Sequence, residues 1–368
     1  MKLRLTAALG LGAALMLTAC AANEGQTAET TPTGAVTDGA TTGAASLKGT
    51  LNGMGASSVS VAQENWIAQF QTANPGVTVL YSPDGSGAGR DAFMGGGADF
   101  AGSDRAFKSE ENVAGAFKSC APDSTALDLP VYISPIAVVF HVDGVESLNL
   151  TPAVLASIFK GDVTNWSDPL ITALNPDATL PDLAITAVHR SDDSGTTDNF
   201  TTYLSNAAGE VWDAEPDGAW PYQKGEAAKG TSGVISAVKD GVGTIGYADA
   251  SQAGEATKAS IGTEGAFEQP TAEAAAAAVE ASPVAEGRAE HDLALELDSK
   301  ASGYPIVLVS YALACTDYKD DAKADLVKAY LGYIASEEGQ KVAADGAGAA
   351  PLSEALRGQV LAAIESIQ

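Results

Sequence analysis

Basic residues are scarce in this chain: 20 Lys and Arg stand against 47 Asp and Glu, a formal charge of −27 over 368 residues. Nucleic-acid binding needs Lys and Arg to neutralise phosphates, and docking on anionic lipid needs a basic patch, so neither is expected here. There are only three histidines, His141, His189 and His291. No Gly-x-Ser-x-Gly elbow and no metal-spaced set of His and carboxylates accompanies them, so the sequence calls for no catalytic residue, metal or cofactor. No apolar run is long enough to cross a bilayer. Cysteine is limited to Cys20, Cys120 and Cys315.

What is present begins with a compartment signal. Lys2 and Arg4 precede an apolar run from Leu5 to Met16, too short for a membrane span but right for the hydrophobic region of a signal peptide. The following Leu17-Thr18-Ala19-Cys20 resembles a bacterial lipobox, which implies a lipoprotein signal over 1–20, cut before Cys20, and a lipid on Cys20 as the new N-terminus. The alternative is a soluble secreted chain cut near the same place. Residues 21–46, almost wholly Ala, Thr, Gly, Glu, Asp and Pro, have no apolar periodicity and read as a flexible tether. In such an oxidising compartment Cys120 and Cys315 are candidates for a disulfide, the alternative being two separate buried thiols.

From Leu47 onward the chain is longer than one core usually spans, so two lobes are expected. Val59, Ala62, Trp66, Phe70 and Ala73 recur at helical spacing and stop at Asn74-Pro75-Gly76, before the strand-like Val77 to Tyr81. Pro130 to Val142, Ala184 to Val188, Val242 to Tyr247 and Pro305 to Leu313 read as strands. Thr151-Pro152 opens a helix to Phe159. Two closing helices are predicted, one from about Lys323 to Ile334 and one carrying Leu356, Val360, Ala363 and Ile367. The alternation suits an α/β fold of two lobes. Residues 251–303, rich in Ala and Glu, read as a helical acidic surface.

The informative stretch runs from His189 to Phe200. It follows a strand and opens a helix, so Ser194, Gly195 and Thr196 sit at a helix N-terminus, where free N–H groups and the helix dipole favour an anion. Arg190 supplies a guanidinium fork that Asp192 can orient. Asp84 to Arg90 repeats this character with Ser86 among glycines, without the Lys-Ser/Thr ending of a P-loop. Ser57 and Ser58 precede the first helix, and Asp104 follows an apolar turn. The plainer readings are helix caps, a surface salt bridge and a solvated acid.

Taken in order, Leu51 to Ser57, Gly85-Ser86-Gly87, Asp99 to Asp104, Asn165 to Pro169 and Arg190 to Thr197 resemble the phosphate-binding proteins of the Pst ABC transporter. The likeness runs from about Leu51 to the C-terminus and is weakest over 251–303. It implies the type II periplasmic-binding-protein fold, with lobe I formed by 47–134 plus 305–368 and lobe II by 135–304, the chain returning at Tyr304-Pro305. It implies that Ser57, Ser86, Arg190, Ser194, Gly195 and Thr196 donate to phosphate, that the Ser58 amide assists, and that Asp104 accepts a hydrogen bond. Ser57 stands where many members have Thr, Asp193 replaces a usual Gly, and Ala101-Gly102 replaces Gly-Ala.

A buried Asp104 opposite an anion needs a proton between them; phosphate carries one at neutral pH and sulfate does not. The expected protein is a monomeric, lipid-anchored capture subunit on the extracytoplasmic face. Its partners would be inorganic phosphate and the permease and ATPase subunits of an ABC importer. The other readings are a binding protein for another tetrahedral oxyanion, and a secreted phosphatase-like hydrolase using Ser86, Ser194 or Thr196 as nucleophile.

Overall fold

The computed structural model describes residues 47–297 and 303–368; Cys20 and the 21–46 tether lie outside the described residues. Strand β1 (Gly49–Gly55) leads into helix α1 (Ser60–Ala73), strand β2 (Val77–Ser82), helix α2 (Ser86–Gly95) and strand β3 (Phe100–Ser103). Helix α1 buries Ala62, Trp66 and Phe70 on one side. It ends at Asn74, where Pro75 cannot continue the hydrogen-bond ladder. Next comes the sixteen-residue strand β4 (Ala126–His141), buried on both faces except at its last residue. Its Leu, Val, Ile, Tyr and Phe fall on both faces, which suits a central strand covered on two sides.

Strand β5 (Asn149–Leu150), helix α3 (Pro152–Lys160), short helix α4 (Pro169–Thr172), strand β6 (Thr186–Arg190) and helix α5 (Gly195–Ala208) follow. Helix α3 is bounded by local signals: Thr151 caps it, Pro152 occupies its first turn, and Gly161 closes it at φ 81°. Strand β7 (Glu226–Ala228), helix α6 (Gly230–Asp240), strand β8 (Thr244–Asp249) and helix α7 (Ala250–Ala253) come next. Strands β9 (Thr257–Lys258), β10 (Ser260–Thr263) and β11 (Ala266–Glu268) precede helix α8 (Ala272–Glu280). Strand β12 (Val307–Cys315) and helices α9 (Asp321–Ala335), α10 (Glu337–Ala347) and α11 (Glu354–Glu365) complete the chain.

The main sheet has the order β2-β1-β3-β12-β4-β8-β6-β7, with β9 also on β4. Strand β4 changes partner along its length. It is antiparallel to β12 from Ala126↔Cys315 to Pro135↔Val307, then antiparallel to β8 from Ile136↔Asp249 to His141↔Thr244. A smaller sheet, β11-β10-β5, stands apart.

Two expectations from the sequence need correction. Residues 251–297 are not a helical surface: β9 pairs with β4, β10 with β5 and β11, and only α8 is a helix of more than four residues there. Alanine favours helix in isolation, but strand pairing overrides that weak preference. Nor is the segment wholly solvent-facing, because Arg288 is buried between Asp128 at 2.7 Å and Asp292 at 3.2 Å. The C-terminal region holds three helices, not two. Helix α10 was missed because it has few apolar residues; it is held by packing on α1, where Trp66 Nε1 donates to Gly339 O at 2.7 Å.

Cys120 and Cys315 form a disulfide with Cα atoms 5.4 Å apart across a separation of 195 residues. Closing so long a loop restricts the unfolded chain strongly, so replacing both cysteines by alanine should cost about 2–5 kcal/mol and lower the melting temperature by roughly 5–10 °C. Calorimetric unfolding with and without reductant is the check; an unchanged midpoint would refute a stabilising role.

Candidate functional site

The first groups of the site come from loops that leave the ends of β1, β2 and β3. Helix α1 has Val59 at its N-cap position with no side-chain cap, so Ser57 and Ser58 are not its caps. The Ser58 hydroxyl instead donates to Asp104 Oδ1 at 2.6 Å. Helix α2 begins at Ser86, whose Oγ accepts from the Asp104 amide at 3.1 Å. That leaves the Ser86 hydroxyl proton for another acceptor.

The remaining groups come from the ends of β6 and β7. Arg190 is the last residue of β6, and its side chain is 2% exposed. Its Nε donates to Asp192 Oδ1 at 2.8 Å and Nη2 to Oδ2, so Asp192 takes one edge of the guanidinium and leaves the far edge for a ligand. Burial pushes the Asp192 carboxyl upward, but the bonds from Arg190 and its charge outweigh this and hold it below the usual carboxylate range. Ser194 is the N-cap of α5 and accepts from Thr197 N, as a cap does, yet keeps a hydroxyl proton to donate. The first-turn amides of Gly195 and Thr196 have no acceptor within their own helix. Tyr247 braces this turn, since its hydroxyl accepts from Arg190 N and pairs with Thr197 Oγ1 at 2.7 Å.

These two sets meet at Asp104. Its Oδ2 accepts from the Thr196 hydroxyl at 2.8 Å while Oδ1 accepts from Ser58, and its carbonyl accepts from Asn199 Nδ2 at 2.6 Å. Glycine is required at 195 by this approach, because a Cβ there would lie 2.7 Å from Asp104 Cβ and 2.8 Å from Ser86 Oγ. Asp104 is 2% exposed. Burial pushes its carboxyl above the ordinary value, opposed by the bonds from Ser58 and Thr196 and by the charge of Arg190.

All eight expected contact residues and Asp192 therefore lie in one place, and three further ones join them. Ser57 Oγ accepts from Thr231 N at 3.1 Å and pairs with Thr231 Oγ1 at 3.0 Å, which brings the N-terminus of α6 to the site. Asp192 accepts from the neighbouring Gly230 amide at 3.0 Å. Gln252 Nε2 donates to Ser57 O at 2.6 Å. Gly230-Thr231-Ser232-Gly233 has the same small-residue character as the other helix starts, so a signal for Thr231 was there to find. The N-termini of α1, α2 and α5 thus meet at the Asp104 carboxylate, and that of α6 joins them through Ser57 and Asp192. Their dipoles create a local positive field that the net charge of −27, carried largely by solvent-facing groups screened over about 8 Å at physiological salt, does not cancel. His189 stays out of this set: its Nδ1 pairs with Arg190 O, its ring stacks on Trp220 at 4.9 Å, and burial lowers its pKa.

Helix starts gathered at the ends of sheet strands, with a shared strand passing between two α/β halves, define the periplasmic-binding-protein class of solute receptors. The model of the PBP superfamily domain matches residues 40–338. Phosphate-binding protein PstS 3 of Mycobacterium tuberculosis H37Rv is 37% identical over 347 residues, covering 90% of each chain. Phosphate-binding protein PstS of Methanocaldococcus jannaschii is 35% identical over 303 residues and 76% of each chain. The crystal structure of a phosphate-binding protein from Stenotrophomonas maltophilia shares the fold at a TM-score of 0.67 and 21% identity, covering 85% of this chain and 93% of that one. The chain belongs to the PstS family of the PBP superfamily.

Proposed function

We propose that this protein binds inorganic phosphate outside the cytoplasmic membrane and hands it to an ABC importer by closing a cleft around the anion. The observation that carries this reading is Asp104, a buried carboxylate ringed by hydroxyl donors, helix N-termini and one arginine. Such a surround attracts a tetrahedral oxyanion, and the carboxylate selects one that still bears a proton. Ser57, Ser58, Ser86, Arg190, Ser194, Gly195 and Thr196 are the donors. The names of the relatives support phosphate in particular.

We place lobe I at 47–134 with 305–368 and lobe II at 135–304, in support of which β4 exchanges β12 for β8 between Pro135 and Ile136. Anchoring through a lipid on Cys20 rests on the lipobox; among the described residues no helix is long and apolar enough to cross a membrane. A binding role rather than hydrolysis is favoured by the hydroxyls themselves. Ser86 and Ser194 face amides, Thr196 faces Asp104, and the nearby histidine is turned to Trp220. Without an adjacent base the Ser86 and Ser194 hydroxyls remain poor nucleophiles, and the carboxylate beside Thr196 is shared with the Ser58 hydroxyl.

Calorimetric titration with phosphate, arsenate, sulfate and molybdate at fixed ionic strength tests the reading. Phosphate should bind with arsenate close behind, and sulfate should be roughly 100-fold weaker or worse, because a fully ionised anion leaves Asp104 facing like charge without a proton. Sulfate or molybdate binding within tenfold of phosphate would point to a receptor for another oxyanion.

A further inference from the structure

Asp193, at which the resemblance leads one to expect glycine, has no place among the anion donors, yet both its backbone and its side chain are engaged by α2. Its carbonyl accepts from Gly87 N of α2 at 3.1 Å. Its Oδ1 lies 3.2 Å from Arg90 Nη2, also on α2. The fit is close on both sides: a Cβ on Gly87 would stand 2.5 Å from Asp193 Cβ, and one on Gly218 would stand 2.4 Å from Asp193 Oδ1. Two glycines thus leave room for this side chain and aim it across the cleft.

Arg90 is the unusual partner. Its side chain is 5% exposed while that of Asp193 is 55% exposed. Nη1 donates to Ser103 Oγ at 2.9 Å, a neutral acceptor on its own side of the cleft. The adjacent Arg105 is already committed to Glu111 through two bonds and adds like charge. A buried guanidinium needs a carboxylate, and the one it has belongs to the other lobe. Of the other bridges between these loops, Lys229 to Asp84 joins two exposed side chains, and Thr196 to Asp104, Asn199 to Asp104, Ser57 to Thr231 and Gln252 to Ser57 all end on residues assigned to the anion. Arg90–Asp193 does not.

We propose that Arg90 and Asp193 form a latch between the lobes that sets how long phosphate is retained without touching it. The proposal rests on the phosphate-binding reading above for its ligand and on the geometry alone for its mechanism. Opening the cleft separates a buried cation from its counter-charge, so the pair favours the closed form selectively. Asp193→Asn keeps the size and the backbone bond to Gly87 and removes only the charge.

Rapid-mixing measurement of phosphate release is the test. Asp193→Asn should release phosphate roughly three- to tenfold faster, the range for a half-exposed ion pair, with an association rate close to wild type. Its phosphate-to-arsenate preference should be unchanged, because neither anion meets Asp193. Release from wild type should also accelerate with ionic strength, and release from Asp193→Asn should do so less steeply, the exposed Lys229–Asp84 pair being left to screen. Rates within 1.5-fold of wild type, or a shifted anion preference, would overturn the latch. A ligand-free arm separates the two claims: paired spin labels, one in each lobe, should report a smaller closed population for Asp193→Asn than for wild type. Failure of wild type to bind phosphate would refute the functional reading while the label distances still decide the latch; equal distances would refute the latch while leaving phosphate binding intact.

Discussion

Arg190→Ala should weaken phosphate binding by about 2–5 kcal/mol, a loss of roughly 30- to several-thousand-fold, the largest effect of any single substitution at the site. Two costs add. The anion loses the free edge of a guanidinium that is pre-oriented by Asp192, and Asp192, 13% exposed, is left with only the Gly230 amide to balance its charge. Phosphate and sulfate should suffer alike, since both present oxygens to that edge. Arg190→Lys should recover only part of the loss because an ammonium cannot hold Asp192 and the anion in one plane. Calorimetry on both variants, with thermal unfolding as a control for folding, is the measurement. A loss below fivefold would mean that the guanidinium does not reach the ligand.

Asp104→Asn should act on selectivity. Replacing the carboxylate by an amide removes the acceptor for the phosphate proton and the charge that repels sulfate. Phosphate should therefore lose about 1.5–3 kcal/mol, partly offset by relief of repulsion, while sulfate gains and the two affinities converge. One of Ser58 and Thr196 must also turn its hydroxyl to accept from the new NH2, since both donate to Asp104 in the native site. The raised pKa of Asp104 adds a pH signature. The carboxyl takes up its proton at higher pH than an ordinary aspartate, and once protonated it can donate to an ionised anion. Sulfate binding by the wild type should therefore strengthen as pH falls toward the Asp104 pKa, and Asp104→Asn should show no such rise. Sulfate exclusion that survives in Asp104→Asn would remove Asp104 from the role of proton sensor.

Much of this site could be read locally. A strand delivering Arg190, a short polar turn and a helix opening at Gly195 are set by a dozen neighbouring residues, and Ser194 capping α5 is the structural form of that pattern. The same holds for α1, α3 and β4, whose periodicity and stops are written in adjacent positions. Local reasoning left two readings open where a residue had two possible partners. Ser57 and Ser58 look like caps for α1, but Val59 holds that position and their hydroxyls serve Thr231 and Asp104.

The sequence by itself determined the α/β alternation, the helix starts rich in small hydroxyl residues and the disulfide candidates, because each depends on backbone preferences and side chains within a few residues or on composition alone. Only the tertiary structure decided which helix starts converge, that α6 joins them through Thr231, that Asp193 meets Arg90, and that 251–297 is pinned to strands β4 and β5 rather than helical. These are contacts between segments up to 174 positions apart, as Ser57 and Thr231 are. They arise when β4 draws its two partner sheets together, and no local propensity encodes the register and closeness of that approach.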